Sequence, residues 1–333
     1  MSLFCALLSM DSLSAIRQPV TAELEQYKAL FDEALKHSDD YLGMALSFLK
    51  QRRGKMMRPL LVLLVAKECG EVNMAAYRSA VTLEVLHTAS LVHDDVVDES
   101  DERRGQGSVN AVYGNKLAVL LGDYLLSTAM QQSAQTGSLH CVDVVARLGA
   151  TLSEGEIAQL ANIRQQVYNE QAYYDVIRCK TAVLFACCGE MAAVAMQADA
   201  TFVEKAITFG ENVGMCFQIR DDLFDYYDDK QIGKPTGNDM REGKLTLPAL
   251  YALAHSDDAE MHRLAELVKT GEATADDIQH LIEMVKQAGG IEYAQKVMEQ
   301  YAAKAEQCLD AFHNQAVKEG LRQYLMYVIG RKA

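Results

Sequence analysis

No proline lies between Pro59 and Pro235 in this 333-residue chain, and only four occur in all. Proline breaks helix interiors and punctuates loops, so the gap favours long uninterrupted helices. Apolar residues recur at three- and four-residue intervals, as in Leu24, Tyr27, Leu30, Phe31 and Leu35. No stretch alternates apolar and polar residues cleanly enough to demand a sheet. The expected fold class is all-α. Helices are expected at about 21–37, 40–50, from Pro59, and at 75–98, 109–134, 139–168, 170–197 and 201–228. Gly233, Pro235, Gly237 and Asn238 mark a long loop, and Pro248 opens a region of shorter helices. Half the residues are hydrophobic, enough for a sizeable core, and no linker or solenoid repeat divides the chain. One helical domain over 21–333 follows, preceded by an N-terminal segment, 1–20.

Two of these helices end in the same acidic pattern. Asp94-Asp95-Val96-Val97-Asp98 follows the apolar run Leu83 to Val92, and Asp221-Asp222-Leu223-Phe224-Asp225 follows Val213 to Ile219. A helix turns 100° per residue, so the first and fifth residues of each pattern share a face. Carboxylates gathered on core-type helices repel one another in a dry interior. A divalent cation relieves that repulsion, and Mg²⁺ suits such hard oxygen donors while sharing its other positions with water and substrate phosphates. A single pattern of this kind could merely solvate a helix end; two, each after a buried-looking run, point to metal.

The net charge of −14 argues against generic nucleic-acid binding and against attachment to an anionic membrane. The eight cysteines form no CxxC and sit mostly in apolar runs, as reduced core thiols would. The opening Met1 to Leu8 is apolar but short and has no basic leader, so neither a signal peptide nor a membrane span is expected. The cytoplasm is the expected location.

Basic residues narrow the chemistry. Lys55 and Arg58 flank the start of the helix at Pro59, where backbone N–H groups already favour anions. Arg103 and Arg104 follow the first acidic pattern, and His87 lies seven residues before Asp94 on its helix face. Lys180-Thr181, Gln218, Lys234 and Lys244 come later. Each basic residue alone reads as a solvated surface charge, and His87 as a core histidine. Together, in so acidic a chain, the basic residues flanking the two carboxylate clusters read as counter-charges for polyanionic ligands.

The set Gly54-Lys55-x-x-Arg58-Pro59, Asp94-Asp95-x-x-Asp98 with Arg103-Arg104-Gly105, Lys180-Thr181, Phe217-Gln218 with Asp221-Asp222-x-x-Asp225, and Gly233-Lys234 resembles the all-trans isoprenyl diphosphate synthases. The likeness runs from about residue 45 to the C-terminus in family order. His87-Thr88-Ala89-Ser90-Leu91-Val92-His93 and Gly243-Lys244-Leu245-Thr246-Leu247-Pro248 are most similar to the long-chain, octaprenyl-type branch. Met56-Met57 and Cys179 depart from the usual wording without touching an assigned ligand.

The resemblance implies many helices around a deep central cavity, usually in a homodimer. It implies head-to-tail 1′-4 condensation of an allylic diphosphate, such as farnesyl diphosphate, with isopentenyl diphosphate. Asp94, Asp98 and Asp221 would be ligands of Mg²⁺, about three ions in all, with Asp95, Asp222 and Asp225 supporting them. Arg103, Lys180, Gln218 and Lys234 would contact the allylic diphosphate, with Lys244 nearby, and Thr181 would be either a ligand-positioning hydroxyl or only a helix residue. Lys55, Arg58, His87 and Arg104 would hold isopentenyl diphosphate without metal. Small residues at Ala89 and Ser90, one turn from Asp94, imply a tunnel that continues past them, although tight helix packing suits them equally. The tail from Tyr324 to Arg331 and Lys332 is either a frayed end or, as the resemblance allows, a basic cover for the site. Alternative readings are a short-chain farnesyl or geranylgeranyl synthase, a class I terpene cyclase, and a non-catalytic synthase subunit. The complete second acidic pattern and the Lys55/Arg58 site weigh against the last two.

Overall fold

The structure, a computed structural model, describes residues 11–51, 54–103, 105–165, 168–227 and 236–331. Among them are α1 (Asp11–Arg17), α2 (Thr21–Ala34), α3 (Asp40–Lys50), α4 (Met57–Glu68) and α5 (Met74–Val97). A short hairpin of β1 (Glu102–Arg103) and β2 (Gln106–Gly107) precedes α6 (Val109–Tyr113), α7 (Asn115–Ala134), α8 (Leu139–Gln165) and α9 (Glu170–Ile177). A five-residue π turn, Arg178–Ala182, leads into α10 (Val183–Ala195) and α11 (Ala200–Phe224). The chain finishes with α12 (Asn238–Arg241), α13 (Leu247–Ala254), α14 (Ala259–Thr270), α15 (Ala275–Gln287), α16 (Gly290–Cys308) and α17 (Gln315–Gly330).

The all-α expectation holds, and the hairpin is too short to change it. α5 packs on α4, α7 and α10, α10 lies along α11, and α11 is backed by α16. α4 is buried all round from Leu60 to Ala66, as its uniform apolarity requires. Side chains start the two helices that carry the acidic patterns: Asn73 accepts from the Ala76 amide and Asp199 from the Phe202 amide.

Four expectations change. The 109–134 stretch is two helices, because Gly114 adopts φ +82° and turns the chain between α6 and α7. The 170–197 stretch is interrupted by the π turn, which periodicity cannot reveal. α16 and α17 are long, so the region after Pro248 is not uniformly short-helical. The helical body also begins before residue 21: Ile16 and Val20 are completely buried, and α1 packs on α17. The described cysteines are free, five of them buried. Among the described residues no helix is long and apolar enough to cross a membrane.

Candidate active site

Both acidic patterns fall at helix C-termini. Asp94 and Asp221 lie in the last turns of α5 and α11, and Asp98 and Asp225 are their C-caps. The helix dipole is negative there, so it adds to the repulsion among the carboxylates. Burial, then Glu156 and Asp98, push the Asp94 carboxyl up to about 6, against the opposing pull of Lys180 and Arg103. Asp95 points elsewhere: it is buried and accepts from Arg103 Nε at 2.6 Å. The hairpin thus presents an Arg103 already anchored by the acidic pattern it follows.

On α11 the carboxylates divide their roles. Asp222 is buried and accepts from the Tyr173 hydroxyl at 2.6 Å and from Gln218 Nε2 at 2.8 Å. Asp225 accepts the amides of Asn238 and Asp239 at 2.8 and 2.9 Å, fixing the start of α12. That turn brings in Asp239, whose carboxyl is pushed well above the usual range by burial and by Asp222 and Asp225. Asp221 pairs with the Arg331 guanidinium, which also donates to the Phe217 carbonyl at 3.2 Å and stacks on the Phe217 ring at 3.8 Å. Arg220 holds the Arg331 carbonyl at 2.9 Å. Arg331, the last described residue, is therefore a cover on the second acidic pattern; Lys332 lies outside the described residues.

The π turn carries Lys180 and Thr181. It is wedged between two glycines: a Cβ on Gly214 of α11 would lie 2.5 Å from Ala182 Cα, and one on Gly155 of α8 would lie 2.8 Å from Cys179 Cβ. π turns widen a helix locally and are frequent at functional sites. Thr181 donates to Gln218 Oε1 at 2.7 Å, completing a chain of hydrogen bonds to Asp222 and Tyr173. Lys180 pairs with Glu156 at 2.7 Å and donates to Gln159 at 3.1 Å. A cleft of ≈ 220 Å³ is lined by Lys180, Gln218, Asp222, Asp239 and Lys244, with Tyr173 on its wall. Burial works against the Lys244 charge, but Glu242, Asp239 and Asp98 outweigh it and hold the amine above the ordinary lysine value.

Lys55 is exposed just ahead of α4, with its ammonium 5.6 Å from the centre of the Tyr327 ring. Between it and Arg58, Met56 adopts a left-handed conformation at φ 55° that a side chain rarely takes, a strain typical of ligand-binding turns. Arg58 lies 5.0 Å from the Phe185 ring centre, and Phe185 touches Phe217 at 5.3 Å, which links this basic turn to the Arg331 cover. The Arg58 Nε is buried without a hydrogen-bond partner, a cost that an anion would relieve. His87 is half-buried two turns before Asp94. Ala89 is buried in the helix packing, whereas Ser90 is half-buried with its hydroxyl on the His87 carbonyl. Arg104 and Lys234 lie outside the described residues.

Sequence reading missed Glu156, Gln159, Tyr173 and Asp239. Glu156 and Gln159 share one face of α8 three residues apart, yet nothing local separates them from an exposed helix face. Among the described residues no three His, Cys, Asp or Glu side chains converge closely enough to hold an ion unaided. The donors nonetheless fit Mg²⁺, which takes one or two carboxylates and completes its shell with water and phosphate. The raised Asp94 carboxyl and the guanidinium on Asp221 both signal negative charge in want of a cation.

The sequence pattern described as polyprenyl synthetase matches residues 39–285. The chain belongs to this family. An octaprenyl diphosphate synthase of Haemophilus influenzae is 32% identical over 95% of both chains. Among polyprenyl synthetase relatives of known structure, a geranylgeranyl pyrophosphate synthase from Bacteroides thetaiotaomicron superposes with a TM-score of 0.85 at 48% identity, covering 96% of this chain and 100% of that one. A polyprenyl synthase from Caulobacter crescentus superposes at 0.90 with 30% identity, over 96% and 98%. This polyprenyl synthetase is an enzyme, a trans-prenyltransferase of the polyprenyl diphosphate synthase type.

Proposed function

We propose that the enzyme elongates an allylic diphosphate by 1′-4 condensation with isopentenyl diphosphate, giving an all-trans product longer than twenty carbons. One observation carries the reading: Lys180 and Lys244 stand between the two acidic helix ends. Lys180 acts on Asp94 and lines the cleft with Asp222, while Lys244 faces Asp98 and Asp239. Cations flanked by carboxylate clusters suit a diphosphate that arrives with metal. Asp94, Asp98 and Asp221 would hold Mg²⁺, which when bound supplies electrostatic stabilisation to the departing diphosphate. The solved Caulobacter crescentus relative contains calcium and isoprenyl diphosphate, in keeping with such a site.

The allylic C–O bond breaks with its electron pair leaving on the diphosphate, and Lys180, Lys244 and Arg103 meet that charge. The alkene of isopentenyl diphosphate, held by Lys55, Arg58 and His87, attacks the carbocation. A proton is then lost to the released diphosphate, so no protein base is required. Arg331 closes the side of Asp221 and restricts water there.

A geranylgeranyl product is the second reading, favoured by the 48% identity to a geranylgeranyl pyrophosphate synthase. Octaprenyl and heptaprenyl relatives at 32% and 33% identity favour the longer one. Labelled isopentenyl diphosphate with farnesyl diphosphate and Mg²⁺, given to the purified chain, tests both by product mass. A linear product of twenty carbons selects the second reading. A cyclic hydrocarbon indicates a cyclase, and no product indicates a subunit that needs a partner.

A homodimer and a cytoplasmic location accompany this reading. The dimer is supported by apolar surface on neighbouring helices: Val119, Leu120 and Met130 of α7, and Leu139, Ile157 and Leu160 of α8, are all exposed.

A further inference from the structure

Lys180 is already occupied. Its ammonium forms a 2.7 Å ion pair with Glu156 and donates to Gln159 at 3.1 Å, both on α8. The pair is partly sheltered, with side chains 27% and 35% exposed. Its register is set by backbone contact as well as by charge, since a Cβ on Gly155 would lie 3.2 Å from the Lys180 amide. Glu156 is also the strongest neighbouring charge acting on Asp94. One carboxylate thus acts on an acidic helix end and directly holds a lysine of the cleft.

We propose that Glu156 is a positioning residue that holds Lys180 while the site is empty and competes with the allylic diphosphate for it. This rests on the prenyl transfer reading. A half-sheltered ammonium without a partner is unfavourable, so Glu156 keeps Lys180 extended between turnovers. Diphosphate binding breaks the pair, and the fraction of Lys180 held by Glu156 weakens apparent affinity in proportion. After condensation, Glu156 reclaims Lys180 and assists release of the diphosphate.

Glu156→Gln preserves shape and a hydrogen-bond acceptor while removing the charge. Calorimetry with inorganic diphosphate and Mg²⁺ should show binding roughly three- to tenfold tighter than wild type. Steady-state assays should show a lower KM for the allylic substrate and stronger inhibition by inorganic diphosphate, with the KM for isopentenyl diphosphate unchanged. The gain should disappear in a Lys180→Met background, because a merely structural role for Glu156 would not depend on Lys180. Glu156→Ser gives the same expectations should the glutamine variant fail to fold. Unchanged or weaker binding, or a gain that persists without Lys180, overturns the proposal. A wild-type enzyme that performs no condensation instead overturns the functional reading on which it rests.

Discussion

Asp94 and Asp221 occupy equivalent places in the last turns of α5 and α11, yet their neighbours differ. Asp94 faces Glu156 and Asp98, and Asp221 meets a guanidinium. Replacing either by alanine should lower kcat by two orders of magnitude or more, about 3 kcal/mol, while circular dichroism stays unchanged. A chelator should abolish turnover and Mg²⁺ restore it; full activity in its presence would contradict the metal assignment. The Asp94 carboxyl, raised from 3.8 to about 6, binds its proton more tightly folded than unfolded. The metal-free protein should therefore lose stability as pH rises from about 4 to about 6 and level off above. Mg²⁺ affinity should rise over that same window, which calorimetry at several pH values would check. Lys55→Ala or Arg58→Ala should raise the KM for isopentenyl diphosphate more than that for the primer, and Lys180→Ala should do the reverse. A Lys55 variant impaired only in primer binding would invert the assignment of the two sites.

At the scale of elements, the end of α17 and the wall of α5 make separate predictions. Arg331 competes with any cation for Asp221, so Arg331→Ala should reduce the Mg²⁺ concentration needed for half-saturation while exposing the cleft to water. Metal titration followed by intrinsic tyrosine fluorescence would register the change without turnover. On α5, Ser90 retains accessible surface whereas Ala89 is packed away. Ser90→Phe should therefore shorten the product towards twenty carbons or fewer with the first condensation preserved. Ala89→Phe should overpack the core, typically at about 1–3 kcal/mol. A Ser90→Phe enzyme that folds, reacts and keeps the wild-type product length would remove Ser90 from the tunnel wall.

The whole molecule presents exposed apolar surface on α7 and α8. Leu139 is 85% exposed, Ile157 65% and Leu120 64%. If two copies bury this surface, Leu120→Glu with Ile157→Glu should convert the dimer to monomers in sedimentation experiments. α5 and α7 pack directly on each other, so a monomer should also melt earlier. A wild-type protein that sediments as a monomer would leave the apolar face without its occupant.

The sequence alone determined the helical class, because a long proline-free stretch with three- and four-residue periodicity has few other solutions. It also determined the acidic and basic residue types, since their spacing is local and helical geometry converts spacing into a shared face. Tertiary structure decided which of these groups meet. Asp95 turns to Arg103 and Asp225 to the α12 amides, choices set by the hairpin and by Gly237 and not by the acidic pattern itself. The π turn at Lys180 exists because Gly155 and Gly214 let two helices close on it from positions far apart in the chain. Glu156, Gln159 and Asp239 have no distinguishing local signal, and each joins the site through contacts between distant segments. Helical periodicity records the face a residue presents; only packing records what stands opposite.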